Sequence, residues 1–393
     1  MTIVTLNMYH ATALAAVVLL VGRFMVSRIQ LLSKYCIPAP IVGGVLYAIL
    51  HCILYVNGIA GIVFDDTLQK FFMTIFFTSV GFMASFYVLK KGGIQVIIFL
   101  AVILGLVVLQ DVLGCFLATL FQLDPRIGLC VGSISMIGGH GTAGSLGFLV
   151  EDLGVPGAGS VAMAAATFGL VVGSLLGGPV GRARIERHHL SSDEYIDQND
   201  VEQEITQNVE NERFLNTAIY FAFAIGLGEI VSNFFVSIGL TFPSYIGAML
   251  VAVVIRNIGD WRKLDVPMIE INALGNLSLN LYLAMALMSL QLWQLVDLAL
   301  PMVVMLLGQA ILLALYAYFV IFRVMGSDYE AAVMSSAACG FGMGATPNAM
   351  ANMQAISKLY GPAPRAFLVV PLVGSLFIDF FNSLIIAGFL NFL

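Results

Sequence analysis

The sequence predicts an all-α polytopic membrane protein made of two inverted five-span repeats, each with a glycine-rich re-entrant hairpin. Two observations carry this prediction. Apolar runs of roughly 20 residues, the length of a membrane-spanning helix, recur from end to end, and several motifs recur in the same order in both halves. Of the 393 residues, 60% are hydrophobic and only 10% are charged, with a mean hydropathy of +0.97. This composition excludes a soluble globular enzyme, a disordered chain and a disulfide-stapled secreted domain.

Ten apolar segments have the length and composition of membrane spans. They lie at about 8–26, 40–56, 68–88, 94–121, 160–180, 214–238, 243–255, 269–290, 298–322 and 366–390. With the N-terminus outside, all but two of the 17 Lys and Arg residues fall at cytoplasmic ends, as the positive-inside rule requires. The exceptions are Lys70 and Arg126. We therefore expect both termini outside and the acid-rich segment 181–213 in the cytoplasm as a solvated linker.

The two halves share motifs at offsets of about 200 residues, which indicates an internal repeat. Three matches carry it: Pro40-x-x-x-Gly44 with Pro243-x-x-x-Gly247, 124–142 with 328–346, and the Gly-Ser-Leu triplets at Gly173 and Gly374. Because each repeat holds an odd number of spans, the second copy is inverted, which is typical of secondary transporters. The predicted domains are an N-terminal repeat (1–180), the linker (181–213) and a C-terminal repeat (214–393).

Two glycine-rich stretches, 128–147 and 331–353, are predicted to form the re-entrant hairpins. Each interior glycine costs a helix about 1 kcal/mol relative to alanine, and Pro347 removes a backbone donor, so helices should break near 138–142 and 342–347. Irregular backbone at membrane depth is tolerated where it is buried or lines a cavity. Free amides there suit a carboxylate, and free carbonyls and hydroxyls suit Na⁺. The alternative is that the glycines only permit tight helix packing.

Ionisable residues within spans need a reason, because a charge at mid-membrane costs roughly 2.5–3.5 kcal/mol. Asp379, with Asn382 one turn later, is the strongest pair of candidate Na⁺ ligands. Asp111 and Glu229 are divided between an ion site and structural hydrogen bonding. His140 either serves a substrate carboxylate or a proton, or is structural. No arginine lies at the centre of a span, so amides, hydroxyls and a bound cation would hold an anionic substrate.

Other classes of function have little support. The chain has no basic stripe with stacking aromatics for nucleic acid, and its five cysteines show no spacing typical of a metal site. No G-x-S-x-G or H-E-x-x-H motif supports an intramembrane hydrolase. We therefore expect a non-enzymatic protein of the lipid bilayer, with no cofactor, no nucleic-acid partner and Na⁺ as the coupling ion.

These motifs resemble those of the bacterial sodium/glutamate symporter family. The resemblance is concentrated in 138–142 and 340–353 and extends to 37–40, 162–170, 281–288 with Trp293, and 367–371. It implies Na⁺-coupled uptake of L-glutamate by an inner-membrane homodimer, through alternating access with an elevator-type movement. Two alternatives stay open: a Na⁺- or H⁺-coupled 2-hydroxycarboxylate or dicarboxylate symporter of the same architecture and, more remotely, an ion channel.

The hairpin motifs of this resemblance, together with their polar neighbours, define the predicted sites. The predicted substrate-binding residues are Ser135, Gly138, Gly139, His140, Gly141, Thr142, Gly340, Gly342, Gly344, Ala345, Thr346 and Asn348. The predicted Na⁺ ligands are Asp379, Asn382, Asn352 and the backbone carbonyl of Cys339. No catalytic residue is expected.

Overall fold

The computed structural model describes residues 2–30, 32, 38–91, 93–192, 211–238, 244–295 and 298–393. Most of the predicted linker, together with Lys34 and Pro243, lies outside these described residues. Within them the chain is almost entirely helical, as the sequence predicted.

The helices are numbered here in chain order. The first half contains α1 (Met8–Arg28), α2 (Ala39–Val56), α3 (Thr67–Met83), α4 (Phe86–Lys91), α5 (Gly93–Leu120), α6 (Pro125–Val131), α7 (Ser133–Met136), α8 (Gly139–Thr142), α9 (Phe148–Asp152) and α10 (Ala158–His188). The second half contains α11 (Asn211–Ser237), α12 (Ser244–Arg262), α13 (Met268–Met288), α14 (Ala299–Tyr316), α15 (Phe322–Val324), α16 (Tyr329–Phe341), α17 (Thr346–Tyr360), α18 (Pro364–Leu376) and α19 (Ile378–Phe392). Two π-helical turns, Ala143–Gly147 and Ala317–Ile321, and a 3₁₀ turn, Leu292–Leu295, complete the helical part.

The described residues contain 8 helices that are long and apolar enough to cross a membrane, or 9 if the bent pair α18–α19 is one span. The remaining predicted span corresponds to α12, which is helical but is not among the helices long and apolar enough to cross a membrane. Its apolar part ends at Arg256, and Asp260 and Arg262 occupy its last turns. Ten spans were predicted, so the structure supports 8 of these segments, and a ninth only if the bent pair crosses the membrane as one span.

Two predicted segments end differently in the structure. α10 continues to His188, into the predicted linker, where an ion pair between Arg182 and Glu186 (2.6 Å) supports the additional turns. The last predicted span is not one helix, because α18 ends at Leu376 and α19 begins at Ile378, on either side of Phe377. The break places Asp379 in the first turn of α19.

The helices pack into two groups that share few contacts. The scaffold group contains α1, α2 and α3 from the first half and α11, α12 and α13 from the second. The hairpin group contains α5 to α10 and α14 to α19. Each half of the chain therefore contributes equivalent parts to both groups, which is the division expected of an internal repeat.

A two-stranded parallel sheet is an addition to the predicted all-helical fold. Strand β1 (Thr2–Leu6) pairs with β2 (Ala60–Phe64), with Thr2 opposite Ala60 and Leu6 opposite Phe64. Both strands contain β-branched residues, which favour this conformation. The sheet joins the N-terminus to the segment between α2 and α3.

Candidate functional site

The second glycine-rich stretch forms an antiparallel helix pair, α16 and α17. A Cβ on Gly340 would lie only 2.4 Å from the Ala349 amide nitrogen, and the Asn352 amide donates to the Ser336 carbonyl (3.3 Å). Residues 342–345 form the tip between the helices. Ala345 is extended and has no side chain that caps α17, and the Thr346 amide donates no hydrogen bond to any described residue. The helix break therefore lies where the glycines and Pro347 predicted it.

The first glycine-rich stretch also doubles back, through shorter helical pieces. α6 and α7 form its first arm; α8, the π-helical turn and α9 form its second. Gly139 turns the chain with a φ of +55°, a conformation that favours glycine. At the base, Arg126 donates to the Leu153 carbonyl (3.1 Å) and to both carboxylate oxygens of Asp124, which lowers the pKa of Asp124.

The tips of the two hairpins meet. A Cβ on Gly139 would lie 2.9 Å from the carbonyl oxygen of Gly344, so the two predicted motifs, one from each half of the chain, are in direct contact. The structure thus brings the predicted residues of both hairpins into one region.

Helix α10 packs along both hairpins. The Thr167 hydroxyl lies 3.0 Å from Nε2 of His140 in the first hairpin. Asn348 and Asn352 of the second hairpin donate to the Leu170 and Gly173 carbonyls of α10 at 2.9 and 3.1 Å. His140 and both asparagines are buried. These side chains therefore attach both hairpins to α10.

Two of the predicted site residues make contacts within the protein that indicate a structural role. The Ser135 hydroxyl is within hydrogen-bonding distance of the Cys130 carbonyl (2.5 Å) and the Ala162 carbonyl (2.8 Å), which ties the first hairpin to α10. The Cys339 carbonyl faces α10, where a Cβ on Gly173 would be 2.8 Å from it.

Asp111 caps a helix of the first hairpin. Its two carboxylate oxygens accept hydrogen bonds from the Ser133 amide (2.8 Å) and hydroxyl (2.9 Å), at the start of α7. Of the two readings that the sequence left open for Asp111, these contacts favour structural hydrogen bonding. Glu229, the other undecided acid, is exposed on α11 in the scaffold group.

The capping role predicts graded losses of stability. Ser133→Ala removes the hydroxyl contact but keeps the amide contact, so we expect a loss of about 1 kcal/mol. Asp111→Ala leaves both buried donors unpaired, and we expect a loss of about 2–5 kcal/mol. Thermal unfolding in detergent measures both variants. Equal midpoints for Asp111→Ala and the parent protein would refute the capping role.

Asp379 and Asn382, the predicted pair of Na⁺ ligands, lie beside the first hairpin. Asn382 is fully buried and donates to the Ser133 carbonyl (3.2 Å), while its side-chain oxygen has no hydrogen-bond partner among the described residues. The half-buried Asp379 carboxylate makes no hydrogen bond or ion pair within the part of the chain that the structure describes.

A linked pair of glutamines near the second tip was not predicted. Gln110 of α5 donates to the Gly342 carbonyl (2.9 Å), and Gln309 of α14 donates to the Gln110 carbonyl (2.8 Å). Both side chains are fully buried. A glutamine in the middle of an apolar span indicates a candidate functional residue, but no role was predicted for Gln309.

Buried side-chain oxygens without partners therefore cluster around the hairpins. They belong to Gln110, Gln309, Ser336, Asn348, Ser357 and Asn382, and the scaffold group holds others at Glu270, Asn272 and Ser278. Buried polar groups are normally hydrogen-bonded, so each orphan oxygen needs an explanation. Oxygen atoms of this kind are the ligands that hard cations prefer, and the described residues contain no cluster of His, Cys, Asp and Glu that could hold a transition metal.

Comparisons with known proteins identify the family of the chain. A family model described as "Sodium/glutamate symporter" matches residues 4–362. The chain is 40% identical over 398 aligned residues to the proteins named sodium/glutamate symporter from Escherichia coli (strain K12) and Shigella flexneri, with 98% of each chain covered. It is 37% identical to the protein of that name from Haemophilus influenzae, with 96% of each chain covered. The chain belongs to the sodium/glutamate symporter family.

Proposed function

We propose that the protein takes up L-glutamate together with Na⁺ by alternating access. The observation that carries the proposal is the meeting of two hairpin tips, at Gly139 and Gly344, beside buried oxygens that lack partners. Secondary transporters with inverted repeats bind their solutes at such interrupted helices. The names of the relatives given above include both sodium and glutamate.

The hairpin tips would hold the substrate through backbone amides. The uncapped N-terminus of α17, with the free Thr346 amide, attracts a carboxylate because the helix dipole is positive there. Ala345 and Thr346 are half-exposed, whereas Asn348 is buried and bound to α10. We therefore assign direct substrate contacts to the residues of the tips and a positioning role to Asn348, Ser135 and His140.

The Na⁺ ligands are proposed to be Asp379 and the side-chain oxygen of Asn382, which has no hydrogen-bond partner among the described residues. A carboxylate without a partner in the membrane is costly, and a bound cation would offset that cost. Na⁺ would also order the tips and raise the affinity for glutamate, and linkage requires glutamate to raise the affinity for Na⁺ equally. Asn352 and the Cys339 carbonyl are less favoured, since they face α10.

The two helix groups suggest an elevator-type movement of the hairpin group against the scaffold group. The scaffold residue Tyr282 is fully buried, and its hydroxyl donates to the Gly141 carbonyl in the first hairpin. Its ring also lies 3.2 Å from where a Cβ on Gly144 would be. A sliding movement would break these contacts. A homodimer and a re-entrant position for both hairpins in the membrane belong to the same proposal.

The proposed orientation places the N-terminus outside an inner membrane. Lys70 and Asp152 line the same cavity, and Arg126 bonds to Leu153, so the two exceptional cations lie at one end of the molecule. Arg184 and other bases cluster at the far end of α10. A helix of 31 residues is about 46 Å long, which suffices to separate two membrane faces.

Uptake of labelled L-glutamate into proteoliposomes tests the proposed function. An inward Na⁺ gradient is expected to drive accumulation, whereas an equal K⁺ gradient is not. Unlabelled glutamate should compete and citrate should not. Competition by citrate or malate would instead identify a symporter of 2-hydroxycarboxylates, and flux without saturation would identify a channel.

A further inference from the structure

A cavity of about 610 Å³ opens between the scaffold group and the second arm of the first hairpin. Its wall includes strand β2, the adjoining ends of α2 and α3, and Ser145 and Tyr245 deeper in the molecule. The volume lies within the roughly 300–1,000 Å³ typical of small-molecule sites. None of the predicted substrate or Na⁺ ligands lines this cavity.

His51 lines this wall and has a hydrogen-bond donor without a partner among the described residues. Its side chain is only 5% exposed, and its Nε2 accepts a hydrogen bond from the Ile62 amide (3.1 Å). The proton of the neutral ring therefore lies on Nδ1. That Nδ1 is buried and has no partner among the described residues. An acceptor supplied by a ligand would satisfy it.

Aromatic rings fix the His51 ring in place. Trp293 stacks on Tyr55 at 3.9 Å, and the His51 ring meets Trp293 edge-on at 5.5 Å. All three residues line the cavity. A donor held in a rigid orientation loses little entropy on binding.

Charges of both signs lie in the same wall. Lys70 pairs with Asp66 at 2.7 Å, and both side chains are more than half exposed. Glu151 and Asp152 also line the cavity, so among the described residues three carboxylates accompany the one lysine in its wall. The wall therefore offers a cation and a neutral donor for carboxylates, and carboxylates for an ammonium group.

We propose that this cavity is an outer docking site for a dicarboxylic amino acid, occupied before the solute reaches the hairpin tips. One carboxylate accepts the hydrogen bond from Nδ1 of His51 and lies near Lys70, and the ammonium group is held by Asp66 and Asp152. The ligand class rests on the proposed function. Docking itself requires no Na⁺, because no proposed Na⁺ ligand lines the cavity.

Trp293 reports directly on this site. The chain has 2 tryptophans, and the other, Trp261, is 80% exposed and outside the cavity. In a Trp261→Phe variant, L-glutamate added in K⁺ buffer without Na⁺ is expected to change the fluorescence of Trp293 in a saturable manner. The absence of any change would overturn the docking site. If the same preparation still showed Na⁺-driven uptake, the proposed function would hold and only the docking site would be refuted.

Two substitutions of His51 separate docking from a structural role. His51→Gln keeps an acceptor near the Nε2 position but removes the donor at Nδ1, and His51→Asn does the reverse. Docking predicts that His51→Gln raises the KM for glutamate about tenfold with little change in maximal rate, as for one lost bond to a charged group. His51→Asn should keep the KM and lower only thermal stability. An unchanged KM in His51→Gln would refute the site.

Lys70→Gln provides a test that does not depend on a buried residue. Lys70 is exposed, so the variant is expected to fold normally. The KM for glutamate should rise a few-fold, and this rise should shrink at high ionic strength because salt screens exposed charges. An identical KM for the variant and the parent protein at low salt would contradict a role for Lys70.

Discussion

Asp379→Asn is expected to abolish Na⁺-driven uptake at physiological Na⁺ concentrations. The carboxylate is half-buried and has no partner among the described residues, so a bound cation is the natural counter-charge. Asparagine keeps the shape and one oxygen but removes the charge. Bonds to charged groups contribute about 1.5–3 kcal/mol, so the Na⁺ concentration for half-maximal uptake should rise by roughly 10- to 150-fold. Uptake rates measured against Na⁺ at fixed glutamate give this number.

Glu229→Gln is the matched control for Asp379→Asn. Both acids lie within apolar helices, but Glu229 is exposed on α11 in the scaffold group. The control variant should keep the Na⁺ dependence of the parent protein.

The coupling between Na⁺ and glutamate should also fail in Asp379→Asn, so Na⁺ should no longer raise the affinity for glutamate. Full Na⁺ dependence in Asp379→Asn would show that this residue is not a ligand, while leaving symport possible.

The breaks in the glycine-rich stretches were predictable because their causes are local. Glycine and proline act on the helix that contains them, whatever packs around it. The structure interrupts the helices at 132, 137–138 and 342–345, although 139–142, most of the predicted first break, is a short helix. Whether the resulting pairs re-enter the membrane from opposite sides stays a prediction, since position in a bilayer is not a property of the chain alone.

The features that the sequence did not reveal depend on distant partners. Gln309 donates a hydrogen bond to Gln110, which lies in another helix of the hairpin group, and the sequence does not show this contact. Asp111 could not be assigned from the sequence, because its partner Ser133 follows in a different helix. The break before Asp379 was missed because it lies at Phe377, beyond the end of α18, in a segment that is apolar throughout and has no glycine or proline at the break. Composition predicts a span in such a segment, but not the bend within it.

The glycines of α10 have a packing role in the structure. Gly169, Gly173 and Gly177 lie on one face and contact the second hairpin. A Cβ on Gly169 would lie 2.0 Å from the Met343 carbonyl oxygen, at the hairpin tip. Small residues at such a spacing let helices approach closely in membranes. The space beside Gly169 therefore determines where the tip sits.

Gly169→Ala should consequently disable transport through a single added methyl group. The second tip must move to avoid the new Cβ, and Gly344 in that tip contacts Gly139 of the first hairpin. Overpacking of this kind costs about 1–3 kcal/mol, so we expect a lower unfolding temperature and a loss of uptake of at least about tenfold. Gly178→Ala in the same helix is the matched control, since nothing lies within 4 Å of its Cβ position. Alanine favours the helix at both positions, so helix propensity cannot explain a difference between them. Similar uptake by the two variants would mean that the position of the tip tolerates displacement, and that the contact between the hairpins does not determine transport.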